Sequence, residues 1–427
     1  MNHAAGASSG AGQAESAPLV WSEIVTLILC ALAFLVEGYD MQTMALAIPV
    51  LAPIWSRPPA DFSWAVSALN IGAVIGSALL APYGDRFGRR RTVGVLLLAD
   101  GVFVAGTATA TSVLALVIWR FLAGLALGAA VVNVTVLITE RFPRNRQALF
   151  LTVAYTNLSL GGVLGGFGNA LITQALTWRG IFLLGGLAGT LVSVLLYSNL
   201  SKNSLGPTAE PAGSVGGKLP GGASIMQLLA RGIGRVTVPL WLVKFLNAII
   251  LFVLLGWLPT MLKSIGWSLG DASRGSAYMQ IGGIVGGLII SWLLDHGRST
   301  VALLTTFAAM TVVLLLFLVT PASVFAWSFL LVLGGGFCLA AHYALNALAA
   351  TLYPIHMRAT GAGWANSMSR MGSIVGSLLG GLFVHWHFSV ANTIALLALP
   401  ATISFALTGV LHYAQKRGAQ LGILPAT

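Results

Sequence analysis

Long apolar runs alternate with short polar, mostly basic intervals along this chain. A helix that crosses a bilayer needs about 20 mostly apolar residues. Such runs lie near 22–50, 62–82, 92–111, 113–139, 147–173, 179–200, 237–262, 273–294, 299–320, 323–352, 359–385 and 389–413. The pattern predicts an all-α integral membrane protein of twelve transmembrane helices. The longest polar interval, rich in Gly, Pro and Ser, separates two sets of six spans. The expected organisation is a disordered tail at 1–20, a six-helix bundle at 21–200, a cytoplasmic linker at 201–235, a second six-helix bundle at 236–414 and a tail at 415–427. Met1 to Pro18 shows no basic region followed directly by a short apolar core and cleavage site. It reads as a cytoplasmic tail, not a signal peptide.

Loop charge sets the expected orientation. One set of intervals holds Arg86, Arg89, Arg90 and Arg91, then Arg141, Arg144 and Arg146, the linker's Lys202, Lys218, Arg231 and Arg235, and finally Arg298, Arg358, Lys416 and Arg417. The alternate set and its edges hold Arg57, Arg179, Lys263 and Arg274. The first set is therefore expected in the cytoplasm, with both termini and the linker.

Composition adds an exclusion. The chain is 57% hydrophobic and 8% charged, against about 25% charged in an ordinary soluble domain. Its surface must largely face lipid. The formal charge of +11 would suggest nucleic acid in a soluble protein. Here the basic residues follow membrane topology, so no nucleic-acid partner is expected. Cys30 and Cys338 lie inside apolar runs and indicate neither a disulfide framework nor a metal site.

The two halves keep register. Pro49, Gly72, Gly76 and Asp85 correspond to Pro259, Gly282, Gly286 and Asp295, each 210 residues later. Phe142-Pro143 corresponds to Tyr353-Pro354, and Gly161 and Gly165 to Gly372 and Gly376, at an offset of 211. Two pseudo-symmetric six-helix bundles are thus expected, with a substrate site at the midplane between them.

The loop Ala81-Pro82-Tyr83-Gly84-Asp85-Arg86-Phe87-Gly88-Arg89-Arg90-Arg91 resembles the major facilitator superfamily signature between its second and third helices. The family usually has Gly where Ala81 stands, which suggests slightly looser packing there. The second-half counterpart, Asp295-His296-Gly297-Arg298, is shorter and lacks one arginine. More narrowly, four stretches resemble the aromatic acid:proton symporters. These are Glu37-Gly38-Tyr39-Asp40, the fourth span from Arg120 through Gly124, Gly128 and Asn133 to Glu140, Gly256-Trp257-Leu258-Pro259-Thr260, and the eleventh span from Tyr353-Pro354 through Arg358 and Gly361 to Ser369-Arg370-Met371-Gly372. The likeness runs from about 21 to 413. It departs at Val132, where the family has Pro, and at His342-Tyr343, where it tends to an uncharged pair. Both departures bear on substrate choice.

The resemblance implies proton-coupled uptake of a small aromatic carboxylate, of hydroxybenzoate type, across the bacterial inner membrane by alternating access. It implies a multi-pass monomer in the lipid bilayer that is no enzyme and uses no cofactor, with protons as the coupling ion. A drug or metabolite exporter working by proton antiport is the alternative. The fifth span, Gly161-Gly162-Val163-Leu164-Gly165-Gly166, lacks the proline of the Gly-Pro element typical of such exporters. A membrane enzyme or sensor is a third class, but no nucleophile triad, metal cluster or phosphate loop stands in the sequence.

Ionisable side chains inside spans cost at least about 2.5–3.5 kcal/mol on insertion scales, so each calls for a role or a structural ion pair. Glu37 and Asp40 are three residues apart and share a helix face. Two carboxylates so placed in low dielectric do not readily both stay ionised, which suits a proton carrier. Counted along ideal helices at about 1.5 Å per residue, Asp40 lies ~15 Å and Arg120 ~10 Å below the outer end, so the two can pair. Arg370, ~18 Å in from the opposite end of its span by the same count, is the expected substrate-carboxylate site. Arg120, His342, Tyr39, Tyr343, Trp364 and Asn346 complete the substrate-binding set, and Trp257 is a further aromatic neighbour. Asp100 is not carried from the family and either tunes the cavity or pairs locally. Lys244, near a helix end, is expected to snorkel. His385 and His387 are expected in a solvated outer loop. Asp85, Arg86, Arg89, Glu140, Arg144 and Arg358 are expected to latch the two halves on the cytoplasmic side in the outward-open state.

Overall fold

The structure, a computed structural model, describes residues 21–142, 147–199, 225–230, 232–296, 299–354 and 357–420. The first half holds α1 (Trp21–Ile54), α2 (Ser63–Leu79), the short α3 (Tyr83–Phe87), α4 (Arg89–Thr107), α5 (Val113–Arg141) and α6 (Gln147–Asn199). After the short α7 (Ile225–Leu228), the second half holds α8 (Gly234–Ser264), α9 (Leu269–Asp295), α10 (Ser299–Leu316), α11 (Val324–Thr351), α12 (Arg358–His385), α13 (Val390–Leu396) and α14 (Ala398–Gln420).

These elements give the twelve expected spans. Nine stretches among the described residues are long and apolar enough to cross a membrane. One of them contains the fifth and sixth spans, joined in α6 at Thr177, whose φ of 59° breaks the helical run. The third span, α4, and the ninth, α10, complete the set. The twelfth consists of α13 and α14. Of the expected linker, residues 201–224 and 231 fall outside the described residues, as do 1–20 and 421–427, while its last part forms α7 and the start of α8.

The helical layering follows from how spans are started and packed. On the face opposite the arginine loops, α5, α9, α11 and α13 each begin behind a serine. Ser112, Ser268, Ser323 and Ser389 accept backbone N–H bonds from Ala115, Asp271, Ala326 and Asn392. Each cap satisfies an otherwise orphaned donor and contributes about 1 kcal/mol. Below, the face carrying α3 and the α5–α6 turn is the basic face, and its opposite is the far face.

The internal repeat reappears as one contact made twice. A Cβ on Gly161 would lie 2.0 Å from the Leu35 carbonyl oxygen, and a Cβ on Gly372 would lie 2.3 Å from that of Phe245. The pairs are α6 on α1 and α12 on α8, related by the sequence offset. Gly72 likewise meets the Phe121 carbonyl while Gly282 meets that of Val332. Only hydrogen fits at such crossings, so backbone packs directly on backbone.

The halves meet toward the far face. Asn169 Nδ2 of α6 donates to Ser273 Oγ of α9 at 2.7 Å, and a Cβ on Gly166 would lie 2.8 Å from that of Ala277. The Ser63 hydroxyl of α2 fills the space beside Gly381 of α12. Nearer the midplane, the Ser159 and Tyr343 hydroxyls are bonded at 2.9 Å. On the basic side of these contacts Tyr155, Asn346 and Asn366 are exposed. The cavity between the halves therefore opens to the basic face.

Candidate functional site

The first half brings three acids and one arginine together. Asp40 of α1 and Arg120 of α5 are each 1% exposed. Arg120 Nη1 donates to Asp40 Oδ1 at 2.5 Å, and Nη2 donates to the Asp40 carbonyl at 3.0 Å. Thr43 Oγ1 donates to the Asp40 carbonyl at 2.7 Å and lies 3.2 Å from Oδ1. Asp40 Oδ2 has no partner among the described residues, nor has either carboxylate oxygen of Asp100. Asp100 of α4 is also 1% exposed, and its electrostatic neighbours are Asp40, Arg120 and Glu37. Breaking a buried pair such as Asp40–Arg120 strands the remaining charge and costs about 3–5 kcal/mol.

Glu37 carries this cluster to the interface. It stands one helical turn before Asp40, and Arg370 of α12 is its foremost charged neighbour. No ion pair joins them among the described residues. The half-buried Arg370 thus faces an acid of the other half across the cavity. Tyr155 of α6 shares this locus, within electrostatic reach of both Glu37 and Arg370. Its ring packs on Phe34 with centroids 4.7 Å apart. Tyr155 is absent from the sequence-based set, because nothing local distinguishes it from other aromatics in apolar runs.

The second half contributes bases. Lys244 of α8, 1% exposed, donates from Nζ to Asn346 Oδ1 of α11 at 2.7 Å and to Asn366 Oδ1 of α12 at 2.6 Å. This corrects the expectation of snorkelling. α8 starts at Gly234, so Lys244 lies about 15 Å along it, and two amides replace water. His342, one turn before Asn346, has Lys244 as its charged neighbour.

The remaining expected residues fall in different places. Tyr343 reaches the interface through Ser159. Trp364 packs on Trp241 with centroids 5.9 Å apart. Tyr39 lies inside the first half, where its hydroxyl donates to the Ile181 carbonyl at 3.0 Å. Trp257 is fully buried, donating to the Ser377 carbonyl at 2.8 Å. His387 stands at the end of α12 with φ 54°.

Among the latch residues, Arg89 Nε lies 3.3 Å from Glu140 Oε1, and Arg89 Nη1 donates to Asn133 Oδ1 at 2.9 Å. Asn133 in turn donates to the Ala81 carbonyl at 3.1 Å, which holds the loop on α5. Ala81 is buried. Arg86 is exposed, over Phe87 at 5.5 Å. Arg358 Nε lies 3.4 Å from the Tyr353 carbonyl of its own half. These pairings stay within halves, as befits a cavity open on this face. The Asp85 side chain and Arg144 lie outside what the structure describes.

The Major Facilitator Superfamily model matches residues 30–377 and, in a second match, 240–420. A gallate transporter of Pseudomonas putida is 30% identical over 413 residues, covering 91% of this chain and 91% of its own length. A 4-hydroxybenzoate transporter of Pseudomonas aeruginosa is 30% identical and covers 91% of this chain and 93% of itself. Among solved structures, a D-xylose-proton symporter superposes with TM-score 0.69 at 18% identity, over 91% of this chain and 97% of that one. A bacterial homolog of the human lysosomal transporter Spinster superposes with TM-score 0.69 at 13% identity, over 94% and 99%.

Proposed function

The chain belongs to the Major Facilitator Superfamily, whose members are transporters and not enzymes, and from that premise we propose that it takes up a small aromatic carboxylate with protons. The observation that carries this reading is Arg370 facing Glu37 across the interface without an ion pair. A guanidinium with no ion pair among the described residues suits a carboxylate substrate, which it binds in bidentate geometry. The acid opposite, backed by Asp40, takes the proton. The relatives named for gallate and 4-hydroxybenzoate supply the aromatic part of the proposal.

In this mechanism proton binding at Glu37 or Asp40 weakens the hold of the acids on Arg370 and Arg120. The substrate carboxylate then takes Arg370, while Tyr343, His342, Asn346 and Trp364 line the ring's path. With its charges matched, the loaded cavity closes on one face and opens on the other. The far-face contacts of Asn169 with Ser273 part as the basic face closes, and Arg86, Arg89, Glu140, Arg358, Asp85 and Arg144 latch it. The basic face is the cytoplasmic one by the loop-charge rule. The membrane is the bacterial inner membrane, the working unit a monomer, and protons take the place of any cofactor.

Proteoliposomes with an imposed inward proton gradient test the reading. Accumulation of labelled 4-hydroxybenzoate, abolished by an uncoupler, is expected. Gradient-driven extrusion of the acid would reject symport in favour of export.

A further inference from the structure

We infer that Lys244, Asn346 and Asn366 form a second anion subsite, so that the preferred substrate is an aromatic acid bearing two acidic groups. The inference rests on the proposed aromatic-acid transport and names its substrate more narrowly. Three cations stand inside the membrane near the cavity. Arg120 is held by Asp40, and Arg370 has Glu37 as its charged neighbour. Among the described residues no ion pair joins Lys244, and no acid is its electrostatic neighbour. After residue 235 the sequence holds just Asp271 and Asp295, both at the ends of α9. Asp100 does not fill the gap, since its charged neighbours are all in the first half.

An ammonium group has three donors and no acceptor. Two of the three meet amide oxygens at 2.7 and 2.6 Å, which leaves one donor unmet and no acid beside the group among the described residues. Burying an unpaired charge is costly, and the missing anion is supplied by a ligand. Access runs through the amides: Asn346 and Asn366 are exposed, while Lys244 behind them is 1% exposed. Register exists as well. Asn366 and Arg370 are four residues apart on α12, hence on one face with Cβ atoms about 5–6 Å apart. One carboxylate on Arg370 and a second acid on Lys244 would bridge a single helical turn.

Calorimetric titration of the purified full-length protein with benzoate, 4-hydroxybenzoate and benzene-1,4-dicarboxylate tests this. The dicarboxylate should bind about ten-fold or more tightly than benzoate, as befits a hydrogen bond to a charged group. In Lys244→Gln that ratio should fall toward one, and Lys244→Arg should restore it. A ratio near one in the unmodified protein overturns the inference while leaving aromatic-acid binding intact. So does a ratio that survives Lys244→Gln. An equal gain from 4-hydroxybenzoate, whose hydroxyl is uncharged, overturns the requirement for a second charge. If none of the three acids binds, the inference falls together with the transport reading.

Discussion

Arg120 grips Asp40 at two atoms, one on the side chain and one on the backbone of α1. The backbone bond ties the guanidinium to the helix whatever the state of the carboxylate. Neutralising the acid therefore releases charge without releasing the contact. Asp40→Asn should lower the unfolding midpoint, since it strands a buried arginine at a cost of about 3–5 kcal/mol. It should also reduce uphill accumulation at least ~10-fold in proteoliposomes while substrate exchange persists, as a coupling lesion worth about 1.4 kcal/mol or more would. Undiminished accumulation would leave Glu37 as the carrier.

Arg370→Lys keeps the charge but loses the planar fork. The dissociation constant for 4-hydroxybenzoate should rise about 10-fold or more, in line with loss of one charge-assisted hydrogen bond. An unchanged affinity by equilibrium binding would move the carboxylate site elsewhere.

The glycine crossings set a steric test with an internal control. Gly372→Ala puts a Cβ against the Phe245 carbonyl and should destabilise by about 1–3 kcal/mol, as overpacking does. Gly363→Ala on the same helix meets nothing within 4 Å and should be neutral or gain up to ~1 kcal/mol from helix propensity. Thermal unfolding followed by size-exclusion chromatography compares them. Equal midpoints would contradict the close approach.

The far-face closure is open to trapping. Asn169→Cys with Ser273→Cys places two thiols where the structure has a 2.7 Å hydrogen bond. Oxidation should stop transport and reduction should restore it. Cys30 and Cys338 are buried and serve as the unreactive background. Transport that continues through the crosslink would show that these helices need not separate.

Glu140→Gln removes the Glu140 carboxylate from Arg89, which keeps Asn133. The pair is partly exposed, so stability should change by less than ~1 kcal/mol. Uptake should slow several-fold with substrate affinity unchanged, as measured by initial rates beside equilibrium binding. A loss of affinity equal to the loss of rate would count against a latch.

Much of this was legible beforehand where the signal was local or periodic. Apolar runs located the twelve spans, and ideal helix depth permitted the pair that Asp40 makes with Arg120. The duplicated glycines marked their own crossings. What escaped was assembled from distant turns. Lys244 looked like a residue near a helix end, because its amides stand 102 and 122 residues away and share no pattern with it. Tyr155 carries no motif, and gains its place from the crossing of α1 and α6. Tyr39 sits in a motif yet turns into its own half, since the glycines around it leave room for the ring there.

The contact that Gly161 and Gly372 make with the facing backbone is indifferent to side chains. A gene doubled in length could therefore let its copies drift apart in chemistry while their frames stayed superimposable. Inside the membrane one half carries three acids with a single arginine and the other carries lysine, histidine and arginine, so the space between them is polarised from one frame to the other.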